Sequence, residues 1–373
     1  MDQDRLALKY RPRLFDEVKG QDYAKRLLSQ LIVNGKSCAN ILLHGSIGSG
    51  KTSLIRIYAK ALNCEKPSSQ GEPCLGCTFC KQIEKGDESS YAELDTPRFR
   101  KVNEFKAEVD RLLGLDMKPN QRRVIFFDEA HTLSLYRDSF DYLLKKVEEP
   151  PEGIAFCFAT TAIDRISAAL RSRVISSETK PLTHELSIEF LGPIATEVGL
   201  AFTPEALSLL AGLGEHQPRN MLQALDQMRL VSNDAEITRE RVAQIFGVDY
   251  IDRLIDYFDA LGSGVLQMQV ESFFAWPDPV RKKVRLIQLL LIAIYYQDLS
   301  FVKVSVESVI ASIRRPERDR ILEAFRRRLP DVDLKAFWED LLNVWPVITS
   351  DLSDEALHAA VLRLQTQANR SAA

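Results

Sequence analysis

A glycine-rich loop at residues 45–52 constrains the fold of this chain more than any other feature of the sequence. Its residues match the phosphate-binding pattern Gly-x4-Gly-Lys-Thr. A compact apolar run at 40–44 precedes the loop, and a stretch with helical periodicity at 53–62 follows it. The order fits phosphate binding, because a helix that starts after such a loop presents its positive end to the phosphates. The sequence therefore predicts a strand, a nucleotide-binding loop and a helix in succession.

Two more apolar runs of about five residues follow at 123–127 and 154–158, and helical stretches such as 139–147 separate the runs. Short, nearly continuous apolar runs are typical of parallel strands that are covered on both faces. The alternation of strand and helix up to about residue 180 predicts a doubly wound α/β domain. With 45% hydrophobic and 27% charged residues among 373, the composition is that of a soluble globular chain of two or three domains.

The rest of the chain is predicted to be almost entirely helical. Helical periodicity recurs at 183–190, 203–213, 218–231 and 238–246 and continues to the end of the chain. We therefore predict three domains, with an α/β domain at 1–180, a small helical domain at 181–247 and an all-α domain at 248–373.

The sequence contains no segment typical of secretion or of membrane insertion. The first four residues are mostly acidic or polar and lead into no apolar stretch, which argues against a secretory signal. The longest apolar run, at 286–296, is interrupted by Gln288 and is too short to span a bilayer, so we expect a buried helix there. These features favour a cytoplasmic protein.

Two pairs of residues carry the predicted nucleotide chemistry. Lys51 should reach the β- and γ-phosphates, and the Thr52 hydroxyl should bind Mg²⁺. Asp128 and Glu129 follow an apolar run, so we expect them at the carboxyl edge of the sheet beside the phosphates. Asp128 would hold Mg²⁺ directly or through water, and Glu129 would orient and deprotonate the attacking water. The sequence therefore predicts ATP hydrolysis.

Four cysteines lie between these two pairs, at Cys64, Cys74, Cys77 and Cys80. The tight spacing of the last three resembles a four-thiolate zinc site. An iron–sulfur cluster is chemically possible as well, although nothing else in the sequence suggests electron transfer. Four protein ligands leave no open position, so we expect a structural metal. The clustered spacing also fits metal-bound cysteines in a reducing cytosol better than it fits a disulfide framework.

Together these motifs resemble the gamma/tau family of bacterial DNA polymerase III, the AAA+ ATPases of the sliding-clamp loader. The likeness extends from about residue 5 to residue 245 and includes an N-terminal signature at 6–21 and a Glu-Glu-Pro-Pro run at 148–151. It implies a AAA+ domain, a helical lid and a helical collar that assembles the loader. The family pattern implies nucleotide-binding residues at Tyr10, Arg11, Pro12, Val18, Gly45, Ser46, Gly48, Ser49, Gly50, Lys51, Thr52 and Ser53.

The resemblance also implies roles for three residues outside the phosphate loop. Thr161, which follows the apolar run at 154–158, corresponds to the first nucleotide sensor, and Arg219 to the second. Arg173 corresponds to the arginine finger that acts on the ATP of a neighbouring subunit. Val174 stands where the family has a cysteine after this arginine. The catalytic arginine itself is retained.

The family resemblance implies several partners: other loader subunits in a pentameric ring, the sliding clamp and primer–template DNA. Such DNA binding is independent of sequence and sensitive to salt. The chain carries a net charge of −3, so a DNA contact requires a local basic face. Arg98, Arg100 and Lys101 form one candidate, and a solvated surface explains these charges almost equally well. As part of the replicase, such an ATP hydrolase is grouped with DNA-directed DNA polymerase.

Three alternatives remain open. A non-hydrolysing stator subunit of a loader is disfavoured by the intact catalytic residues Lys51, Thr52, Asp128 and Glu129. A Holliday-junction branch-migration ATPase is disfavoured by the cysteines and by Ser172-Arg173. A loader-like protein of a divergent phage or defence system fits the sequence as well, because the region after residue 248 has no sharp motif.

Overall fold

The computed structural model describes residues 5–35, 38–99, 101–135, 137–232, 236–246, 256–257, 260, 265–276 and 283. The chain divides into two compact units, one made of Met1–Gly199 and Gly214–Leu230, the other of Leu200–Leu213 and Val231–Ala373. Most of the predicted domain at 248–373, including the apolar run at 286–296, lies outside the described residues. The predicted boundaries at 180 and 247 stay predictions.

The first unit is built on a five-stranded parallel sheet, which confirms the predicted α/β fold. Its strands are β1 Ile41–Gly45, β2 Tyr91–Asp95, β3 Arg123–Asp128, β4 Ile154–Thr160 and β5 Ile175–Thr179, in the order β2-β3-β4-β1-β5. The three predicted runs form the central strands β1, β3 and β4. Because all strands are parallel, the carboxyl ends of these three neighbours meet at one edge.

The helices are numbered in chain order. Those in the described part of the chain are α1 Leu6–Lys9, α2 Asp22–Val33, α3 Lys51–Asn63, α4 Thr78–Glu84, α5 Val102–Leu113, α6 Arg137–Glu148, α7 Ala168–Arg171, α8 His184–Glu197, α9 Pro204–Leu213, α10 Pro218–Val231, α11 Arg239–Phe246 and α12 Leu266–Ala275. Short 3₁₀ turns lie at Thr96–Arg98, Ala130–Leu135 and Ile163–Arg165.

Apolar side chains cover both faces of the sheet, as the continuous strand patterns predict. On one face Leu54 and Tyr58 of α3 are fully buried and share a core with Phe126 of β3. On the other face Phe127 stacks on Phe158 with ring centroids 5.1 Å apart, and Phe105 of α5 packs beside them. Alternate residues of one strand therefore anchor two separate cores, which fixes the register of the sheet.

The predicted helix starts agree closely with the structure. Thr183 and Thr203 accept hydrogen bonds from backbone N–H groups three residues on, at 3.3 and 3.2 Å, as N-cap side chains do. Helix α8 continues through Pro193 to Glu197, beyond the predicted stretch at 183–190. A proline costs a helix one hydrogen bond and a steric clash, and the apolar face of α8 that includes buried Leu191 and Ile194 offsets this cost.

The second unit is described in part. Phe202 forms an isolated parallel bridge with Ile237, and α9 packs against α11. Farther along, the rings of Tyr257 and Phe273 lie 5.8 Å apart, and Lys283 Nζ donates to the Phe273 carbonyl at 2.8 Å. No helix of the described residues is both long and apolar enough to cross a membrane.

Candidate nucleotide site and cysteine knuckle

The phosphate loop connects β1 to α3, as predicted, and two of its glycines have positions that other residues cannot take without strain. Gly45 has φ +143°, and a Cβ there would lie 2.0 Å from the Thr179 carbonyl oxygen. Gly48 has φ +84°, and a Cβ there would lie 3.2 Å from Arg219 Cβ. Ser49 Oγ lies 2.7 Å from Thr179 Oγ1, which ties the loop to β5. The loop is thus held in one conformation before any phosphate arrives.

Lys51 starts α3 and lies at the floor of this loop. Its side chain is 7% exposed, and its Nζ donates to the carbonyl oxygens of Gly45 and Ser46 at 2.8 and 2.7 Å. Burial lowers the pKa of Lys51, and the carboxylates of Glu129 and Asp128 oppose this shift. The ammonium group therefore lies where phosphates would enter, with acceptors that phosphate oxygens can replace.

Thr52 and Asp128 provide two oxygen donors that Mg²⁺ prefers. Thr52 Oγ1 donates to Asp128 Oδ2 at 3.3 Å, which joins the start of α3 to the end of β3. Burial raises the pKa of Asp128, and the backbone N–H of Glu129 opposes this shift. A hydroxyl and a carboxylate at this spacing fit a nucleotide-bound Mg²⁺ ion, so the predicted pair is brought together.

Glu129 follows β3 in a left-handed conformation with φ +48°. Its Oε2 accepts a hydrogen bond from Thr161 Oγ1 at 3.0 Å and lies 3.3 Å from His131 Nδ1. The same His131 nitrogen lies 3.1 Å from Thr160 Oγ1, at the end of β4. Backbone strain of this kind collects at functional sites. Residues at the ends of two neighbouring strands thus hold the carboxylate that was predicted to activate water. The sequence analysis had assigned no role to His131.

A pocket opens between the phosphate loop, the N-terminal segment and α10, all within the first unit. We name residues 10–19 the N-terminal wall, because several of them line one side of this pocket. Thirteen predicted residues line it, namely Tyr10, Arg11, Pro12, Val18, Gly48, Ser49, Gly50, Lys51, Thr52, Ser53, Asp128, Glu129 and Arg219. Sequence reasoning missed other lining residues, among them Leu8, Glu17, Lys19, Phe190, Leu222 and Asp226. Leu8, Glu17 and Lys19 fall within the N-terminal signature at 6–21, whereas Phe190, Leu222 and Asp226 lie outside the predicted motifs and reach the pocket through tertiary packing.

Helix α10 contacts the phosphate loop through the residue that precedes it. Gln217 is 2% exposed, and its Nε2 donates to Ser46 Oγ at 2.5 Å. Arg219 follows in the first turn of α10 and lines the pocket. Asp226, farther along α10, accepts a hydrogen bond from the Leu6 backbone N–H at 2.8 Å. The helix that carries the predicted second sensor is therefore bonded to the phosphate loop and to the N-terminal segment.

Arg173 lies away from the pocket of its own chain. Its guanidinium donates to the Ala169 carbonyl at 2.8 Å and pairs with Glu148 Oε1 at 3.0 Å. The described residues that line the pocket do not include Arg173, nor do they include Gly45, Ser46 or Thr161. The guanidinium would have to give up these contacts to reach a neighbouring molecule, and the in-trans role stays a prediction.

The four predicted metal ligands come together in one cluster. The Sγ atoms of Cys64, Cys74, Cys77 and Cys80 all lie within 4.8 Å of one another. Thiolates 2.3 Å from a tetrahedral Zn²⁺ ion have sulfurs roughly 3.8 Å apart, so the cluster fits zinc after a small contraction. We name residues 64–80 the cysteine knuckle.

Backbone N–H groups support two of these sulfurs. Cys74 N donates to Cys64 Sγ at 3.2 Å, and Cys77 N donates to Cys74 Sγ at 3.3 Å. Hydrogen bonds from the Gly76 and Cys77 backbone lower the pKa of Cys74 to about 7, whereas burial raises the pKa of Cys80. A thiol that ionises near neutral pH is a ready metal ligand.

The predicted DNA-binding cluster is largely charge-balanced. Arg98 Nε pairs with Asp95 Oδ2 at 2.8 Å, and Lys101 Nζ lies 3.7 Å from Glu104 Oε1. Arg100 lies outside the described residues. The cluster therefore presents less net positive charge than the sequence suggests, and its DNA contact stays a prediction.

The parallel sheet, the phosphate loop after β1 and the acidic pair after β3 define a P-loop ATPase domain. A RuvB mutant structure from Thermotoga maritima has a similar fold, with a TM-score of 0.50, 19% identity, and coverage of 82% of this chain and 94% of that one. A family model described as DNA polymerase III, delta subunit, matches residues 20–183.

Two curated relatives narrow the family. The DNA polymerase III subunit gamma of Buchnera aphidicola is 32% identical over 250 residues, which cover 67% of this chain and 66% of the relative. The DNA polymerase III subunit tau of Escherichia coli is 34% identical over 258 residues, 69% of this chain and 39% of the relative. The chain thus matches about two thirds of the gamma relative and a smaller part of the tau relative. It belongs to the gamma/tau family of DNA polymerase III subunits.

Proposed function

We propose that this protein is an ATPase subunit of the DNA polymerase III clamp loader. In this proposal, ATP binding opens a sliding clamp and grips primer–template DNA, and hydrolysis releases the loaded clamp. The arrangement of Lys51, Thr52, Asp128 and Glu129 around one pocket is the observation that carries the proposal, together with family membership.

The hydrolytic chemistry follows from the contacts of these four residues. Lys51 Nζ exchanges its two carbonyl acceptors for phosphate oxygens when ATP binds. Thr52 and Asp128 would hold Mg²⁺, which would supply positive charge beside the phosphates. Glu129 takes a proton from the attacking water, and Thr161 Oγ1 holds Oε2 of that carboxylate in position. Each of these atoms lies at the carboxyl edge of the sheet, where substrate enters.

Two arginines complete the proposed site. Arg219 lines the pocket of its own chain and contacts the phosphates of the bound ATP. Arg173 acts in trans on the γ-phosphate of a neighbouring subunit, which requires that it leave Glu148. Arg219 thus contacts the nucleotide of its own subunit, whereas Arg173 makes hydrolysis in a neighbouring subunit depend on assembly.

The cysteine knuckle is proposed to hold one structural Zn²⁺ ion. Four clustered sulfurs provide a complete tetrahedral ligand set, which leaves no position for substrate. The ion would stabilise the fold of residues 64–80 and take no part in turnover.

Partners and domains belong to the same proposal. We propose assembly with other loader subunits in a pentameric ring, with a AAA+ domain at 1–180, a lid at 181–247 and a collar at 248–373. Primer–template DNA would be held through its phosphates, independently of sequence, with Arg98, Arg100 and Lys101 as candidate contacts. We propose that the protein works in the cytoplasm.

The alternatives differ in specific ways. A stator subunit would lack hydrolysis, and the described pocket retains all four hydrolytic residues. The likeness to RuvB concerns the fold alone, so it does not favour branch migration. A loader of a divergent system would share this chemistry and differ in its clamp.

One experiment tests the proposed function. ATP hydrolysis is measured for the protein assembled with the other loader subunits of its source, with and without sliding clamp and primed DNA. We expect the two additions together to raise turnover several-fold, and Glu129→Gln to bind ATP without turnover. A turnover that stays flat when both are added would contradict clamp loading.

A further inference from the structure

The cysteine knuckle is bonded directly to the N-terminal wall of the nucleotide pocket. Glu72 lies between the ligands Cys64 and Cys74, and its two carboxylate oxygens accept separate backbone N–H groups. Phe15 N donates to Oε2 at 2.8 Å, and Asp16 N donates to Oε1 at 2.9 Å. Such charge-assisted bonds are about twice as strong as neutral ones. One side chain of the knuckle thus fixes two consecutive residues of the wall.

The loop that presents Glu72 is itself well ordered by hydrogen bonds. Ser68 N donates to the Glu72 carbonyl at 2.9 Å, and Glu72 N donates to Ser68 Oγ at 3.1 Å. Gly71 has φ +84°, and a Cβ there would lie 2.8 Å from the Ser29 carbonyl of α2. Only glycine permits this close approach without a shift. The position of the Glu72 carboxylate therefore depends on the fold of the knuckle.

A second connection joins the end of the knuckle to the same wall. Helix α4, which carries Cys80, ends at Glu84, and Glu84 forms an ion pair with Lys60 of α3. Lys60 is 2% exposed and Glu84 is 44% exposed, so this pair ties the end of α4 to α3 at the margin of the core. The other Glu84 oxygen lies 3.8 Å from Arg13 Nε in the wall. The wall is thus contacted by Glu72 inside the knuckle and, over a longer distance, by Glu84 at the end of the helix that follows it.

The wall lines the same pocket as the catalytic carboxylates Asp128 and Glu129. Arg11, Pro12 and Val18 line the pocket, and Phe15 between them is 3% exposed in the core. Val18 Cγ1 lies 4.0 Å from where a Cβ on Gly50 would be, at the last glycine of the phosphate loop. A nucleotide with its phosphates in the loop would therefore have its nucleoside part within reach of the wall.

We propose that Glu72 is a positioning residue that couples the metal-bound fold of the cysteine knuckle to the affinity of the pocket for adenine nucleotide. When the knuckle is folded around its metal, Glu72 holds the Phe15–Asp16 backbone and the wall is preformed. When the metal is lost, the wall loosens and nucleotide affinity falls, while the phosphate loop stays intact. This inference rests on the proposed ATP site and assigns the knuckle a role in it.

The first test compares Glu72→Gln with the wild type in ADP binding, by titration calorimetry on the whole protein. In the variant, the amide places an N–H group against one of the two backbone N–H groups and removes the negative charge. We therefore expect the Kd for ADP to rise about tenfold, which corresponds to a loss of about 1.4 kcal/mol of binding free energy. Bound zinc per chain should be unchanged. The Kd for inorganic tripolyphosphate, which occupies only the phosphate loop, should also be unchanged. The matched control is Glu152→Gln, at an exposed turn before β4, which should bind ADP as the wild type does.

The second test removes zinc with a chelator under reducing conditions. We expect zinc-free wild type to lose ADP affinity about as much as Glu72→Gln does. Zinc removal should lower the ADP affinity of Glu72→Gln little further, because both changes break the same connection between the knuckle and the wall. Equal ADP affinity in wild type and Glu72→Gln would overturn the proposal. So would parallel loss of tripolyphosphate binding, which indicates general unfolding. If the wild type itself binds no ADP, the proposed ATP site is wrong. That result differs from a failure of the Glu72 coupling alone, in which the wild type and the variant bind ADP equally well.

Discussion

Thr161 Oγ1 donates a hydrogen bond to Glu129 Oε2 over 3.0 Å, across the ends of two neighbouring strands. Thr161 follows β4, and Glu129 follows β3. The predicted nucleotide sensor and the predicted general base are therefore in direct contact. The position of one affects the position of the other, which gives the sensor a physical means of acting on the hydrolytic step.

Replacing Thr161 should separate catalysis from binding. In Thr161→Val the Glu129 carboxylate loses a donor, and a hydrogen bond to a charged group contributes about 1.5–3 kcal/mol. We expect kcat for ATP to fall roughly ten- to a hundredfold, with ATP affinity unchanged within about twofold. Thr161→Ser keeps the hydroxyl and should retain most of the activity. If Thr161→Val weakened ATP binding and left kcat intact, the hydrogen bond would have no catalytic role.

Arg173→Ala should abolish the turnover that clamp and DNA stimulate while sparing ATP binding. Its guanidinium pairs with Glu148 and lies outside the pocket of its own chain, so nucleotide affinity should not depend on it. An arginine finger typically contributes about 10³–10⁵ to kcat, so the stimulated rate should fall to background. Arg171→Ala, at the exposed last residue of α7 and two residues before Arg173, is the matched control. Loss of ATP binding in Arg173→Ala would contradict action in trans.

Cys77→Ser should release the metal of the knuckle. A structural zinc site depends on all four thiolates, so we expect bound zinc to fall from about one ion per chain to nearly none. The Tm should drop by several degrees, because the binding free energy of the ion contributes to folding. Elemental analysis and a thermal scan measure these changes. Cys38→Ser, outside the cluster, should keep its zinc, and a Cys77→Ser protein that kept its zinc would refute the four-thiolate site.

His216 should make the free energy of unfolding fall as pH decreases. Burial lowers the pKa of His216, whose Nδ1 lies 3.0 Å from Ser187 Oγ; His184 adds to the shift and Glu185 opposes it. The unfolded chain, with a histidine pKa of about 6.5, then binds more protons than the folded chain, so stability is present above this pH and is lost below it. His44, whose pKa burial also lowers, contributes in the same direction.

The His216→Asn variant isolates this contribution. Asparagine tolerates the left-handed conformation found here, with φ +54°. Urea unfolding between about pH 5 and 7 should show a smaller dependence on pH in the variant than in the wild type. An unchanged dependence would mean that His216 does not titrate differently in the two states.

The sequence predicts those parts of the fold that local pattern determines. Helix α10 occupies 218–231 as predicted, because Pro218 starts it and its apolar stripe is regular. The two outer strands were not among the predicted runs. Both β2 and β5 pair on one side only and contain polar residues, such as Glu93 of β2 and the consecutive polar residues 176–178 of β5. Strands at a sheet edge need less apolar surface, so their signal is weaker.

Residues that act through distant backbone contacts could not be predicted from the sequence. Arg123 belongs to an apolar run, yet its guanidinium is fully buried and donates to the carbonyls of Ser89 and Leu115 at 2.9 and 3.0 Å. Glu72 and Gln217 likewise find their partners more than fifty residues away. Motif spacing identifies the residues that touch nucleotide, whereas the residues that support them depend on the tertiary fold.

Clamp loading is measured most directly by following clamps on primed circular DNA. The protein is assembled with its partner loader subunits, and closed clamps left on DNA without loader are counted after a single round with ATP. We expect wild type to leave free, closed clamps and Glu129→Gln to leave clamp and loader held together on DNA, because the variant binds ATP without hydrolysing it. Equal release of clamps by wild type and Glu129→Gln, or release without ATP, would contradict the proposed function.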